Sequence, residues 1–364
     1  MPENKRPLRV LSLDGGGMRG TYAATYLDRL ASGFALRRGI AGIDIGAAFD
    51  LIVGTSTGGI IGCALAAGLQ LKEVIELYRN HGGAIFRRPL PESAGIGLAI
   101  DLIRRPKALA SGTEALRSAL AARFDQETLG ELYQRRGIAL AITAVELGHH
   151  WSWVFKTPHL SNTNHRDDKY RLVDVCLATT AAPVYRSLAA IDHPDALEST
   201  SGRDVFADGG LWANNPVLVG LVDALEMTDR DRAIEVFCLG TCPRPAGEQA
   251  DRVNLDRGLA QWKFGGDAAA LAIDAQEFAY DNIARMLAKH INRKCDIIRF
   301  PREQVPAALM PFLGLDDTRP EAIAALINQA RTDANMANSH CGDLANSQGQ
   351  LMARLFMEAP PRPP

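Results

Sequence analysis

The segment Gly54-Thr55-Ser56-Thr57-Gly58 sets a serine between two glycines, with a strand-like apolar run before it and a helix-like apolar run after it. A turn this tight holds the serine hydroxyl out at the carboxyl end of the strand, where the positive end of the next helix favours developing negative charge. That is the setting of a covalent acyl-transfer nucleophile. A second glycine run, Asp14-Gly15-Gly16-Gly17-Met18-Arg19-Gly20, also lies between a strand and a helix. Its consecutive backbone N–H groups can converge on an anion, which suits an oxyanion hole. A third run, Ala207-Asp208-Gly209-Gly210, offers a carboxylate with room for close backbone approach, and Asn214-Asn215-Pro216 follow it at the mouth of a helix. Asp208 can take the serine proton. An unperturbed aspartate, with a pKa of about 3.9, is a weak base at neutral pH, a shortfall of roughly 4 kcal/mol that burial and oxyanion donors must make good.

Each feature also has a plainer reading. Ser56 and Asp208 fit ordinary glycine-rich turns, and Gly15, Gly17 and Gly20 satisfy the dinucleotide pattern G-x-G-x-x-G. That pattern requires an acidic residue at the end of a second strand about 20 residues on. Here Asp50 precedes the next strand, and the strand ends in the serine, so a nucleotide-binding oxidoreductase ranks below a hydrolase. A non-catalytic binding protein on the same scaffold is the other alternative. His290 and His340 lie after Asp208, where the chain order of α/β-hydrolases would place a histidine, but both read as structural or solvated. His149, His150, His159 and His165 lack metal-ligand spacing and read as exposed strand-to-loop residues, so neither a metal nor another cofactor is expected.

These residues need strands that end, and helices that begin, at the right places. Strands are predicted over 8–13, 49–53, 138–145, 151–155, 204–207, 234–239 and 296–300, and helices over 21–36, 60–67, 71–80, 113–123, 172–179, 217–225, 267–290 and 320–336. Alternation of this kind gives an α/β fold, a three-layer α/β/α sandwich on a mostly parallel sheet. We expect a catalytic part over 1–245 with an irregular insertion at about 84–112, a mainly helical C-terminal part over 246–358 packed on the core, and a disordered proline-rich tail over 359–364.

Forty basic residues against 42 acidic ones give a net charge of −2, so no nucleic-acid polymer is expected as a partner. The N-terminus shows no signal-peptide pattern, which points to the cytoplasm. The uncharged run from Leu51 to Leu71 is long enough to suggest a membrane span, but its glycines and the Thr55-Ser56-Thr57 triplet favour strand, turn and buried helix in succession. The six cysteines have no CxxC spacing and read as core thiols.

Taken in order, Gly15-Gly16-Gly17-Met18-Arg19-Gly20, Gly54-Thr55-Ser56-Thr57-Gly58, Ala178-Thr179-Thr180-Ala181-Ala182-Pro183 and Asp208-Gly209-Gly210 resemble the patatin-like phospholipase family over roughly residues 8–225. The resemblance implies a Ser56–Asp208 dyad, an oxyanion hole built from Gly15, Gly16 and Gly17 with Thr57, and structural roles for Arg19, Gly20, Gly54, Gly58, Gly209 and Gly210. It implies hydrolysis of phospholipid esters through an acyl-enzyme; an unregulated soluble esterase or lysophospholipase is the alternative within the hydrolases. One departure is visible, Thr180 in place of the more usual serine.

The segments 155–159, 172–179, 208–216 and 274–282 are further similar to the bacterial patatin-like effectors of anti-phage signalling, which cyclic oligonucleotides such as cyclic GMP-AMP switch on. This implies a cyclic dinucleotide activator, with a binding site that the sequence does not locate. Arg285, Lys289, Arg293, Lys294 and Arg299 could receive its phosphates or form a solvated helix face. The phospholipid membrane surface is the expected partner, met from the cytoplasm as peripheral contact with the inner membrane; a homo-oligomer is left open. Within the insertion, an uncharged run over 93–100 flanked by Arg87, Arg88, Arg104, Arg105 and Lys107 suits either a docking lid or a loop packed on the protein.

Overall fold

The computed structural model describes residues 6–88, 96–163, 165–192, 202–242, 255–258, 261–262, 266–301 and 304–363. An eight-stranded sheet lies at its centre: β1 (Leu8–Leu13), β2 (Leu51–Thr55), β3 (Ala139–Glu146), β4 (Trp151–Lys156), β5 (Ala189–Asp192), β6 (Arg203–Asp208), β7 (Ile234–Leu239) and β8 (Cys295–Phe300). The spatial order is β5-β6-β3-β2-β1-β7-β8, with β4 also paired to β3. The run from β3 to β8 is parallel, whereas β4, β5 and β6 pair antiparallel.

Side chains of a strand alternate between faces, and the central strands are apolar on both. Leu11, Leu13, Ile52, Leu140, Ile142, Phe237 and Leu239 face one core. It is covered by α1 (Gly20–Arg38), α2 (Thr57–Ala67), α3 (Leu71–Ile85), α4 (Ile96–Phe124), α5 (Leu129–Arg136), α6 (Leu172–Thr179), α10 (Pro320–Gly342) and α11 (Ser347–Glu358). Leu8, Val10, Leu51, Val53, Ala139, Ala141, Ile234 and Val236 face a second, smaller core. This one is covered by α8 (Val217–Glu226) and α9 (Gly266–His290), with the short α7 (Gly210–Ala213) beside the site. The expected three-layer sandwich is therefore present. The C-terminal part belongs to it directly: β8 extends the sheet, Tyr22 donates to Asp333 at 2.6 Å between α1 and α10, and Phe34 stacks on Phe356 of α11.

The run over 51–71 is a strand, a turn and a buried helix, as expected. Among the described residues, no helix is long and apolar enough to cross a membrane.

Three expectations are corrected. The 84–112 stretch is not irregular: α3 runs to Ile85, and α4 occupies Ile96 onward, with Pro106 inside it. Proline removes one intrahelical bond and bends a helix, but it does not end this one: the turn before it is pinned by the Arg105–Asp101 pair, and the turns after it reach the core through Leu116, Ala119, Leu120 and Phe124. Residues 89–95, with the start of the expected docking run, lie outside the described residues. The flanking basic residues differ among themselves, because Arg88 and Arg105 pair with Asp101, while Arg87, Arg104 and Lys107 face solvent. Finally, the tail is held rather than disordered. Asp44 N–H donates to the Pro360 carbonyl, Arg362 N–H to the Gly42 carbonyl, and Arg38 to that of Ala359, which is buried.

One feature of the topology positions the site. β2 pairs with β3 from Ala139 to Thr143, β4 occupies the other edge of β3 from Ala141 to Glu146, and β6 pairs with β3 from Ala144 to Glu146. β6 must therefore share the β2 edge. The two strands run toward each other along it, and their carboxyl ends abut opposite Thr143 and Ala144.

Candidate active site

Ser56 occupies the single position between the end of β2 and the start of α2, with φ 53° and ψ −123°. For a residue with a side chain this backbone costs of order 1–3 kcal/mol and persists only where its surroundings enforce it. They do so here. Ser56 N–H donates to Thr179 Oγ1 at 2.8 Å, and its carbonyl accepts from Gly59 and Ile60 at 2.9 and 3.2 Å. The turn also presses against β1, since a Cβ on Gly58 would sit 2.3 Å from the Leu13 carbonyl oxygen. This explains the glycine at that place in the motif. Ser56 Oγ points across the strand junction and donates to Asp208 Oδ2 at 2.7 Å, so the two expected residues are brought into direct contact.

Asp208 ends β6 and is buried. Its Oδ1 accepts from Gly210 N–H at 2.7 Å. Burial pushes its carboxyl up to about 6, against the opposing pull of the Gly210 N–H, the Ser56 hydroxyl and the nearby Arg186 guanidinium. Desolvation thus removes much of the basicity shortfall noted from sequence. Trp212, two residues after Gly210, donates its indole N–H to the Ala144 carbonyl at 2.8 Å and ties α7 to β3 beside the junction.

The glycine loop packs between three other segments. Gly15 lies against Asn214, Gly16 against Thr241, and Gly17, at φ +56°, against Leu315, whose carbonyl oxygen would be 2.3 Å from any Cβ there. Gly15 N–H donates to the Asn214 carbonyl at 2.9 Å and Met18 N–H to that of Leu315 at 2.8 Å. Gly15 is therefore corrected as an oxyanion donor: its N–H is engaged in holding the loop. Among the described residues the N–H groups of Gly16 and Gly17 have no acceptor, and that of Thr57 is in the first turn of α2, which leaves its donors without intrahelical partners. Arg19 donates to the Gly16 carbonyl, and Gly20 lies against the Thr57 hydroxyl, so the starts of α1 and α2 meet.

Several participants have positions or partners that the sequence did not assign. Thr179, which fixes the elbow, is the residue before Thr180; Thr180 itself turns its hydroxyl onto the Cys176 carbonyl at 2.7 Å, a bond a serine could also make. Tyr78 of α3 shares a hydrogen bond with Thr57 Oγ1. Gln276 and Glu277 of α9 grip Asn214 and Asn215. Asp14, at the head of the glycine loop, pairs with Arg299 of β8 at 2.5 Å, and Arg299 also pairs with Asp281 at 2.7 Å. Arg285 pairs with Asp281 as well. Arg285 and Arg299 are thus engaged by Asp281, and Arg299 also by the buried Asp14, rather than displayed as phosphate receivers.

The histidines separate. His149 and His165 are exposed and pair with Glu146 and Asp168, but His159 has a fully buried side chain, held by Thr157 Oγ1 at 2.9 Å and Asp223 Oδ2 at 3.3 Å. Its position two residues beyond β4 folds it under α8, which a strand-to-loop reading does not foresee. Among the described residues no cluster of three or more His, Cys, Asp or Glu could hold a metal ion. The cysteines are free thiols, all but Cys295 buried.

Comparison with known proteins adds the lineage. Residues 11–221 match the patatin-like phospholipase family. The chain is 36% identical to a cGAMP-activated phospholipase of Pseudomonas aeruginosa, over 76% of this chain and 74% of that one. It is 36% identical to a cGAMP-activated phospholipase of Vibrio cholerae, over 96% and 91%, and 28% identical to one from Escherichia coli, over 97% and 90%.

Proposed function

This chain belongs to the patatin-like phospholipase family, and from that premise we propose that it hydrolyses the carboxylic esters of membrane phospholipids through a Ser56–Asp208 dyad. The observation that carries the reading is the 2.7 Å bond from Ser56 Oγ to Asp208 Oδ2, made at a strained strand-to-helix turn with no third side chain between them. As Oγ attacks the ester carbonyl carbon, Asp208 takes the hydroxyl proton. The tetrahedral oxyanion is received by the N–H groups of Gly16, Gly17 and Thr57. Collapse breaks the ester C–O bond, the proton passes from Asp208 to the departing alcohol oxygen, and an acyl-serine remains. Asp208 then deprotonates water, which attacks the acyl carbon; the second collapse breaks the acyl C–Oγ bond, Asp208 returns the proton to Ser56 Oγ, and the fatty acid leaves.

The regulatory half of the proposal is that a cyclic dinucleotide activates this hydrolysis, as part of an anti-phage response. It is supported by three relatives named as cGAMP-activated phospholipases, each matched over most of both chains. Lipid-product mass spectrometry on native and Ser56→Ala protein, with and without a panel of cyclic dinucleotides, tests both halves. Release of free fatty acid and lysophospholipid should require one dinucleotide and fall at least about a thousandfold in Ser56→Ala. Full activity with no nucleotide would remove the regulatory half, and residual activity in Ser56→Ala would remove the dyad.

A further inference from the structure

Arg186 is 5% exposed and sits on the turn that follows α6. Its own backbone fixes it there: Arg186 N–H donates to the Ala182 carbonyl at 2.8 Å, and Asp208 N–H donates to the Ala181 carbonyl at 3.0 Å, so this turn is stitched to the end of β6. The guanidinium feels the charge of Asp208 and the hydroxyl of Tyr78, the residue that touches Thr57 beside the nucleophile. It nevertheless forms no ion pair with Asp208, and among the described residues its buried Nε has no hydrogen-bond partner. Its neighbour on the other side is the Phe86 ring, 5.9 Å from the guanidinium carbon. Burial lowers its pKa to about 10, which still leaves it a cation at neutral pH.

A buried cation without a hydrogen-bonded anion is costly and rare. The other buried arginines of this fold show the usual solution: Arg9 pairs with Glu235 and Glu358, Arg105 with Asp101, Arg299 with Asp14 and Asp281. Arg186 alone among these lacks its acid, and the turn that carries it is hydrogen-bonded through Ala181 to Asp208, the partner of Ser56. A planar fork of donors held there matches the oxygen spacing of a phosphate.

We propose that Arg186 is the phosphate-recognition residue of this site, its guanidinium receiving the phosphodiester of the phospholipid whose ester faces Ser56. The proposal rests on the phospholipid reading above, and it makes substrate choice a property of this one side chain: an ester without a phosphate leaves the buried cation unanswered, and an ester with one completes it.

Two measurements keep the proposal separate from the reading beneath it. The first uses full-length Ser56→Ala protein and inorganic phosphate as the probe. Phosphate should raise the melting temperature of Ser56→Ala and should do so far less in Ser56→Ala/Arg186→Gln, with Arg186→Lys intermediate. The second compares turnover of diheptanoyl phosphatidylglycerol with that of the diheptanoyl glyceride lacking phosphate, at the activator concentration that supports activity. Arg186→Gln should cut the preference for the phosphate-bearing ester by about 30-fold, mainly through KM, with Arg186→Lys recovering part of it. Equal loss on both esters would overturn the proposal in favour of a structural or oxyanion role, as would a phosphate-induced shift that is absent or independent of Arg186. If the shift depends on Arg186 but phospholipid is not hydrolysed at all, the phosphate site stands and the substrate reading falls.

Discussion

In the proposed mechanism Asp208 acts as a base while out of water, and both demands leave a pH signature. With its carboxyl raised to about 6 chiefly by burial, the free enzyme should lose kcat/KM on the acid side with an apparent pKa near that value, measured on a soluble short-chain ester; a limb near 4 would mean a solvated, unperturbed aspartate. The same shift acts on stability in a defined direction. The native state holds this proton more tightly than the unfolded chain, so the stabilisation from Asp208 is complete below about pH 4 and lost as pH rises through about 6. Asp208→Asn should therefore be inactive yet more stable than the parent at pH 8, by about 1–3 kcal/mol in urea unfolding. At this scale the sequence was informative where a residue carries its own neighbours with it: Ser56 and Asp208 are each marked by adjacent glycines. Thr179, Tyr78 and Arg186 are not, because what defines them is the approach of distant segments. Arg186, three residues past the alanine-rich motif, had the best chance of notice, as a charge set in an apolar stretch.

Among elements, the parallel strands were legible from continuous apolar runs, since a strand buried on both faces needs no alternation. β5, only four residues long, was not, and neither was α5, whose eight residues carry fewer apolar side chains than the equally long α6. The proline-based reading of 84–112 failed because Pro106 sits inside a helix whose later turns pack on the core. The most consequential link, β8 to the glycine loop, spans 285 residues of sequence through Arg299 and Asp14. Burial alone would lower the pKa of Arg299, but Asp14, Cys238 and Asp281 hold it above the usual value. Arg299→Met would remove a cation from the buried Asp14 and one of the two that pair with Asp281. We expect a stability loss of about 3–5 kcal/mol by urea unfolding, together with a collapse of turnover because the loop carrying Gly16 and Gly17 is no longer held at its head. An Arg299→Met protein as stable and active as the parent would show that Asp14 needs no such anchor.

For the molecule as a whole, a proline-rich ending suggested disorder from composition, and tertiary contacts overrode it: residues 359–362 bridge to 38–44 through backbone groups that composition cannot reveal. Deleting 359–364 should lower the unfolding free energy by about 2–4 kcal/mol in a urea titration while leaving kcat as it was; a disordered tail would give no change. The abutting of β2 and β6 on one edge of β3 has a wider consequence. β6 is attached to β3 through only three residue pairs, and beyond it lies β5, the outermost strand. Fraying of that corner would carry the base away from the nucleophile while the central strands and their helices stayed folded. The enzyme can fall silent through a local opening far cheaper than global unfolding. Its inactivation on warming then reports the margin of the sheet and says little about the strength of its centre.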